Sequence, residues 1–202
     1  MKKCAIVGAG EFAASRFNKG SYDFIIAADG GYEALLQIGV TPDVLIGDMD
    51  SLSVHLPSAV KTVRHPVKKD KTDMQLALEY AEKLGYTDFD IYGGTGGRQD
   101  HTFANYCLQY GAKLRGLNTK LISRDCYSLM VKDETVQLHS RVGAGASVFA
   151  FGDGATVSIR GLLYEGEGIR LTPDFALGVS NSFKEEEAEL NVLGAVLLII
   201  EF

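Results

Sequence analysis

Phe89-Asp90-Ile91-Tyr92-Gly93-Gly94-Thr95-Gly96-Gly97-Arg98-Gln99-Asp100 joins an apolar run to a glycine-rich loop. Beyond it, Phe103, Ala104, Cys107 and Leu108 recur at helical spacing. A short apolar run, glycines and then a 3.6-residue period read as strand, loop and helix. The same grammar repeats upstream. Cys4 to Val7 is an apolar run before a glycine turn, and Phe24 to Ala28 is another that ends at Asp29-Gly30-Gly31. Tyr32 to Ile38 reads as a helix, with Gly39 as its stop and Pro42 beyond. Val44 to Ile46 is a strand running into Gly47-Asp48-Met49-Asp50-Ser51. Thr72 and Gln75 form a capping box, so a helix should start there and run to about Leu84, with Gly85 as its stop. Leu76, Ala77, Tyr80, Ala81 and Leu84 supply its expected apolar face. Lys120 to Ser123 reads as the last strand of this pattern.

Strands alternating with helices predict an α/β fold, a mainly parallel sheet with flanking helices. In such sheets the sites gather at the carboxyl ends of the strands. Every glycine- or aspartate-rich segment above follows a strand, so all of them should share one edge. After about Ser128 the texture changes. Ser128 to Val131, Thr135 to Leu138, Ser147 to Phe151, Thr156 to Ile159 and Val192 to Phe202 read as short strands between polar turns. That predicts a small all-β, sandwich-like domain. The expected division is 1–127 for the α/β domain and 128–202 for the β domain, with no long linker. The acidic run Glu185-Glu186-Glu187 reads as a solvated turn.

Apolar residues make up 46% of the chain and charged residues 23%, a globular composition. The net charge is -6 and no basic stretch tracks a phosphate backbone, which argues against nucleic acid as a partner. A small anionic ligand remains compatible, because such sites are local. Cys4, Cys107 and Cys126 lack metal-ligand or disulfide-framework spacing, so reduced thiols and a cytoplasmic location are expected. The apolar start is short and interrupted by Glu11, so it reads as a buried strand rather than a leader. The run Ala195 to Ile200 is too short to span a bilayer, and no membrane segment is expected.

Asp48 and Asp50 lie two apart after a strand and would point the same way if extended. Paired carboxylates repel unless a cation sits between them, and hard oxygen ligands suit Mg2+. The bland reading is a pair of turn residues. Asp73 opens a helix, where it either complements the dipole or joins the same metal. Asp70 lies on the same expected edge. The glycines at 93–97 are either a flexible turn or a nest of backbone N–H groups for an anion, with Arg98 as a planar cation. No Lys-Ser or Lys-Thr follows them, so this is not a Walker loop. Gly8-Ala9-Gly10-Glu11-Phe12-Ala13 fits a GxGxxA pattern, but a dinucleotide site would leave Asp48, Asp50 and the second glycine loop unexplained. His101 could cap, pack or touch a phosphate.

Taken in order, four segments resemble the thiamin pyrophosphokinase family. They are Ala28-Asp29-Gly30-Gly31, Pro42-Asp43 leading to Gly47-Asp48-Met49-Asp50-Ser51, Asp70-Lys71-Thr72-Asp73, and Gly97-Arg98-Gln99-Asp100-His101 with Ala104-Asn105. Gly161-Leu162 with Tyr164, and Ser180-Asn181 with Phe183, match the family's β domain more loosely. The resemblance implies transfer of a pyrophosphoryl group from ATP to thiamin, giving thiamin diphosphate and AMP. It implies that Asp48, Asp50 and Asp73 hold Mg2+, and that Arg98 and Asp100 position the phosphates or the nucleotide. Asp29, Gly30, Gly31, Asp70, Thr72, Gly97 and His101 would complete the nucleotide side. It further implies a homodimer with active sites shared between subunits. Phe183 would stack on thiamin across the interface, with Ser180 and Asn181 shaping the pocket. Two other readings are a hydroxymethylpterin pyrophosphokinase and a non-catalytic nucleotide- or thiamin-binding sensor. Three converging carboxylates argue against the sensor.

Overall fold

The computed structural model describes residues 2–48, 60–65 and 70–202. The chain divides into two compact units, one of Met1–Leu108 with Gly116–Arg124 and one of Gln109–Arg115 with Asp125–Phe202.

The first unit contains strands β1 (Lys3–Val7) and β2 (Phe24–Ala28), helix α1 (Gly31–Gln37), and strands β3 (Val44–Gly47) and β4 (Lys61–Arg64). Helix α2 (Asp73–Lys83), strand β5 (Asp88–Tyr92), helix α3 (Gln99–Leu114), whose residues from Gln109 on are counted with the second unit, and strand β6 (Asn118–Ile122) follow. Every pairing along the order β6-β5-β1-β2-β3-β4 is parallel. β1 and β2 each carry four consecutive buried residues, as strands covered on both faces must. β4 escapes a reading of periodicity. Lys61-Thr62-Val63-Arg64 is polar and largely exposed because it forms the sheet's edge.

The helix signals hold where backbone chemistry carries them. Thr72 Oγ1 accepts from Gln75 N at 3.2 Å, and Gly39 and Gly85 both have positive φ just past α1 and α2. The apolar faces are shifted from the expected ones. α2 buries Met74, Ala77, Leu78 and Ala81, while Leu84 lies on the surface. α3 buries Asn105, Gln109 and Ala112, whereas Phe103 is 64% exposed and Cys107 is exposed. Buried amides are stable when their hydrogen bonds are met, and a hydrophobicity pattern does not register them. One oxygen of Asp90, interior to β5, is met by Lys3 Nζ and Tyr22 OH, each 2.8 Å from Oδ2, while Oδ1 is buried without a partner among the described residues.

The strand order also places the site. The chain steps from β1 outward through β2 and β3 to β4, then returns to the other side of β1 as β5. The strand order therefore reverses at β1, and in open α/β sheets ligands bind at such a switch point, outside the carboxyl ends of the strands.

Besides the end of α3, the second unit is built of antiparallel strands: β7 (Cys126–Lys132), β8 (Thr135–His139), β9 (Gly145–Arg160), β10 (Gly166–Leu171), β11 (Asn181–Ser182) and β12 (Glu187–Glu201). β12 pairs with β7, β8 and β9, and β9 pairs with β10 and β11. The two strands expected at 147–151 and 156–159 are one strand. In β9, Ala146 and Val148 are buried before the break, and Ala155, Val157 and Ile159 after it. Three residues of β9, Gly152 to Gly154, are inserted where the β9–β12 register shifts at Gly194/Ala195, and an odd insertion reverses which parity faces inward. Gly152 and Gly154, both at positive φ, absorb the irregularity.

Candidate active site

At the switch point, β1 and β5 lead into two glycine loops bonded to each other. Gly8 N donates to Tyr92 O, Gly10 N to Gly93 O and Glu11 N to Thr95 O, each at 2.8 Å. Absent side chains permit this approach: a Cβ on Gly93 would lie 2.2 Å from Gly8 O, and one on Gly10 would lie 2.4 Å from Thr95 O. The Gly8-Ala9-Gly10 segment is thus half of a loop pair. No α-helix opens after it, only the short 3-10 turn Ala14–Arg16, so the helix N-terminus of a dinucleotide site is missing.

Three successive carbonyls of the second loop are occupied. Gly93 O and Thr95 O accept from the first loop, and Gly94 O accepts from Asn105 Nδ2 at 2.7 Å. The amides of Gly94, Thr95, Gly96 and Gly97 have no protein acceptor among the described residues. Successive unpaired N–H groups in a glycine loop form a concavity suited to an anion.

A cavity of about 560 Å³ opens over the loops. Of the residues singled out from sequence, Asp29, Asp48, Thr72, Asp73, Gly97, Arg98 and His101 line it. Gly30, Gly31, Asp70 and Asp100 do not. Gly31 serves packing, since a Cβ there would lie 1.9 Å from Val7 O. Asp50 lies outside the described residues. Asp29 has φ +49°, a conformation that Asp tolerates better than most residues, and its N–H is tied to Ile46 O at 2.8 Å. Among the described residues no group of three His, Cys, Asp or Glu side chains is arranged to hold a metal. Asp48 and Asp73 still offer the cavity hard carboxylate oxygens, a donor type that Mg2+ accepts. Gly8, Gly10, Lys71 and Asn105, quoted in the sequence motifs but given no role in the site there, also line the cavity. Paired glycines were the available signal for the first two. A lysine beside an aspartate carried none, and its Nζ sits 2.8 Å from Glu79 Oε2.

Arg98 and Asp100 form a two-point pair: Nε donates to Oδ1 at 3.1 Å and Nη2 to Oδ2 at 2.6 Å. His101 N also donates to Asp100 Oδ1 at 3.0 Å. The Arg98 hydrogen bond, reinforced by that amide, brings the Asp100 carboxyl down to about 2. Asp100 therefore stays ionised and aims Arg98, which is the member of the pair that lines the cavity.

The second unit has its own cavity, of about 460 Å³, lined by Tyr164, Leu177, Val179, Ser180 and Asn181 among others. Phe183 does not line it. Phe183 is 1% exposed and belongs to the core, with its backbone in a β-bridge to Leu162, so its ring offers no face for stacking. The ring on this cavity is Tyr164, 66% exposed. Strand alternation sends Asn181 and Phe183 inward together, which removes Phe183 from the expected stacking position.

Comparison with known proteins adds a chain-wide result. The family described as thiamin pyrophosphokinase, catalytic domain, matches residues 18–121. A thiamine pyrophosphokinase of Bacillus subtilis (strain 168) is 24% identical over 188 residues, covering 87% of this chain and 85% of the relative. The crystal structure of thiamine pyrophosphokinase from Bacillus subtilis superposes with a TM-score of 0.85 at 23% identity, covering 99% of this chain and 98% of that one. Thiamin pyrophosphokinase from Candida albicans superposes at 0.82 with 14% identity, covering 100% and 89%. At these identities the superpositions speak for the fold.

Proposed function

The chain belongs to the thiamin pyrophosphokinase family, and on that footing we propose that it transfers the terminal pyrophosphoryl group of ATP to the hydroxyl of thiamin. The observation that carries the nucleotide half is the run of amides from Gly94 to Gly97 without an acceptor among the described residues, of which Gly94, Thr95 and Gly97 line a cavity that also holds Arg98, Asp48 and Asp73. The thiamin hydroxyl oxygen attacks the β-phosphorus, the bond from that phosphorus to the α-phosphate bridging oxygen breaks, and AMP leaves. The hydroxyl proton passes to a carboxylate or to water. Such a transfer depends on alignment and on stabilising charge on the phosphate oxygens. The loop amides and the Arg98 guanidinium supply both. Asp48 and Asp73, with Asp50, are the residues that would hold Mg2+, which when bound neutralises phosphate charge. Asp29, Thr72 and His101 complete the nucleotide side of the cavity.

The thiamin half rests on the second unit's cavity. Tyr164 offers an exposed aromatic face, which suits a cationic thiazolium or a flat pyrimidine. Leu163, Phe175, Leu177 and Val179 are exposed around the same segments, an apolar surface of the kind that a second subunit covers. A homodimer whose subunits share each site follows from this reading. A cytoplasmic location fits three free cysteines. No helix among the described residues is long and apolar enough to cross a membrane.

The test is AMP release from ATP and Mg2+ with thiamin or with a hydroxymethylpterin. AMP with thiamin alone is expected. AMP only with the pterin would reassign the acceptor, and no AMP with either from folded protein would end the enzymatic reading. Sedimentation showing a monomer at working concentration would remove the shared site.

A further inference from the structure

Resting on the proposed reaction, we propose that Asn105 is a positioning residue for the phosphate chain of ATP, acting through the peptide between Gly94 and Thr95. Asn105 sits in the second turn of α3 and is 7% exposed, yet it lines the cavity. Its Nδ2 donates to Gly94 O at 2.7 Å. In a trans peptide the carbonyl and the following N–H point in opposite directions. Fixing the Gly94 carbonyl on Asn105 therefore fixes the direction of the Thr95 N–H, turned away from the side chain that holds its plane. The neighbouring peptides are set in the same way. Gly10 N on Gly93 O orients the Gly94 amide, and Glu11 N on Thr95 O orients the Gly96 amide. Of the three ties, only the middle one comes from a side chain.

The local packing leaves this peptide little freedom to find another partner. A Cβ on Gly94 would lie 2.5 Å from Leu121 Cδ1 and 3.1 Å from Asn105 Nδ2, so the loop already lies against both. Without the amide donor, the Gly94 carbonyl is left buried and unpaired, and the peptide gains by rotating. Rotation would turn the Thr95 N–H out of its present direction. An aspartate in place of Asn105 would set a carboxylate against the carbonyl and force that rotation.

The experiment compares wild type, Asn105→Ala and Asn105→Asp for AMP release over a range of ATP and of thiamin concentrations, with melting temperature alongside. Loss of one aligned hydrogen bond to phosphate predicts a rise in KM for ATP of about tenfold, with KM for thiamin held within about twofold. A purely structural role would lower the melting temperature and the active fraction but leave KM for ATP unchanged, and that outcome overturns the proposal. Amide hydrogen exchange on wild-type protein, with and without a non-hydrolysable ATP analogue and Mg2+, tests it should neither variant fold. Protection of the Thr95 amide is expected, and a Thr95 amide exchanging equally fast in both states overturns it. A wild type that binds the analogue but releases no AMP removes the proposed reaction instead, and leaves the Thr95 result to be judged on its own.

Discussion

Asn181 bonds the backbone of Tyr164 twice: its Nδ2 donates to the Tyr164 carbonyl and its Oδ1 accepts from the Tyr164 amide, both at 2.9 Å. The side-chain amide imitates a strand partner and holds one exposed residue in place. Asn181 itself is buried, and Ser180 before it takes φ +61° to enter the turn. Asn181 therefore acts on the pocket through Tyr164, which lines the cavity.

Tyr164→Ala is expected to raise KM for thiamin by about tenfold while KM for ATP stays put, the loss of one ring face against a cation. Asn181→Ala should move the same parameter in the same direction, because it releases the Tyr164 backbone. Steady-state kinetics with each substrate varied checks both. Equal KM values for thiamin in wild type and Tyr164→Ala would take the ring out of the site.

Phe183→Ala should behave differently. The ring is buried, so its removal leaves a cavity and costs about 3–5 kcal/mol of stability. Denaturant unfolding measures that loss. KM for thiamin in the folded fraction should be unchanged.

Two glycine substitutions separate loop packing from ligand space. Gly10→Ala would bring a Cβ within 2.4 Å of Thr95 O and 2.7 Å of Gly93 O, so the loop pair must part and the melting temperature should fall. Gly97→Ala meets nothing within 4 Å and leaves the fold intact. Gly97 lines the cavity, so the added methyl should raise KM for ATP with little change in melting temperature. Thermal melts alongside ATP titrations distinguish the two.

The Arg98–Asp100 pair gives a pH prediction. The Asp100 carboxyl is lowered from 3.8 to about 2, chiefly by the Arg98 hydrogen bond. A lowered carboxyl contributes fully above its ordinary range, and the contribution is lost only as pH falls through about 2. Between pH 5 and pH 8, a range set here as about that of ordinary assays, Asp100 should add no inflection to the rate. Asp100→Asn, which keeps the shape but weakens the hold on Arg98, should raise KM for ATP across that whole range. A pH-dependent difference between the variant and wild type would contradict this.

Thiol labelling provides an independent check of the sheet. Burial, then the nearby Asp43 charge, pushes the Cys4 thiol well above its ordinary range, and Cys107 is exposed. Cys107 should label readily in the folded protein, and Cys4 only after unfolding. Mass spectrometry of labelled peptides reads the order.

Much of the α/β unit was legible because its signals are local. A Thr72-to-Gln75 cap and the stops at Gly39 and Gly85 depend on chain conformation over a few residues, which the residues themselves set. Apolar runs ending in glycine or aspartate likewise identified the strand ends and hence one functional edge. The sequence alone determined that Asp48, Asp73, Gly97 and Arg98 belong to one side of a parallel sheet.

Only the tertiary structure decided how those residues are used. Gly8 and Gly10 gained their role from a loop about eighty-five residues away, through contacts that no local pattern encodes. Asn105 and Gln109 replaced Phe103 and Cys107 on the buried face of α3, because hydrogen bonds to distant carbonyls offset the burial of their amides. Phe183 went inward and Tyr164 outward, since strand parity is set by pairing and not by hydrophobicity. The residue types fix which chemistry is available, and long-range packing decides which side chain faces the cavity.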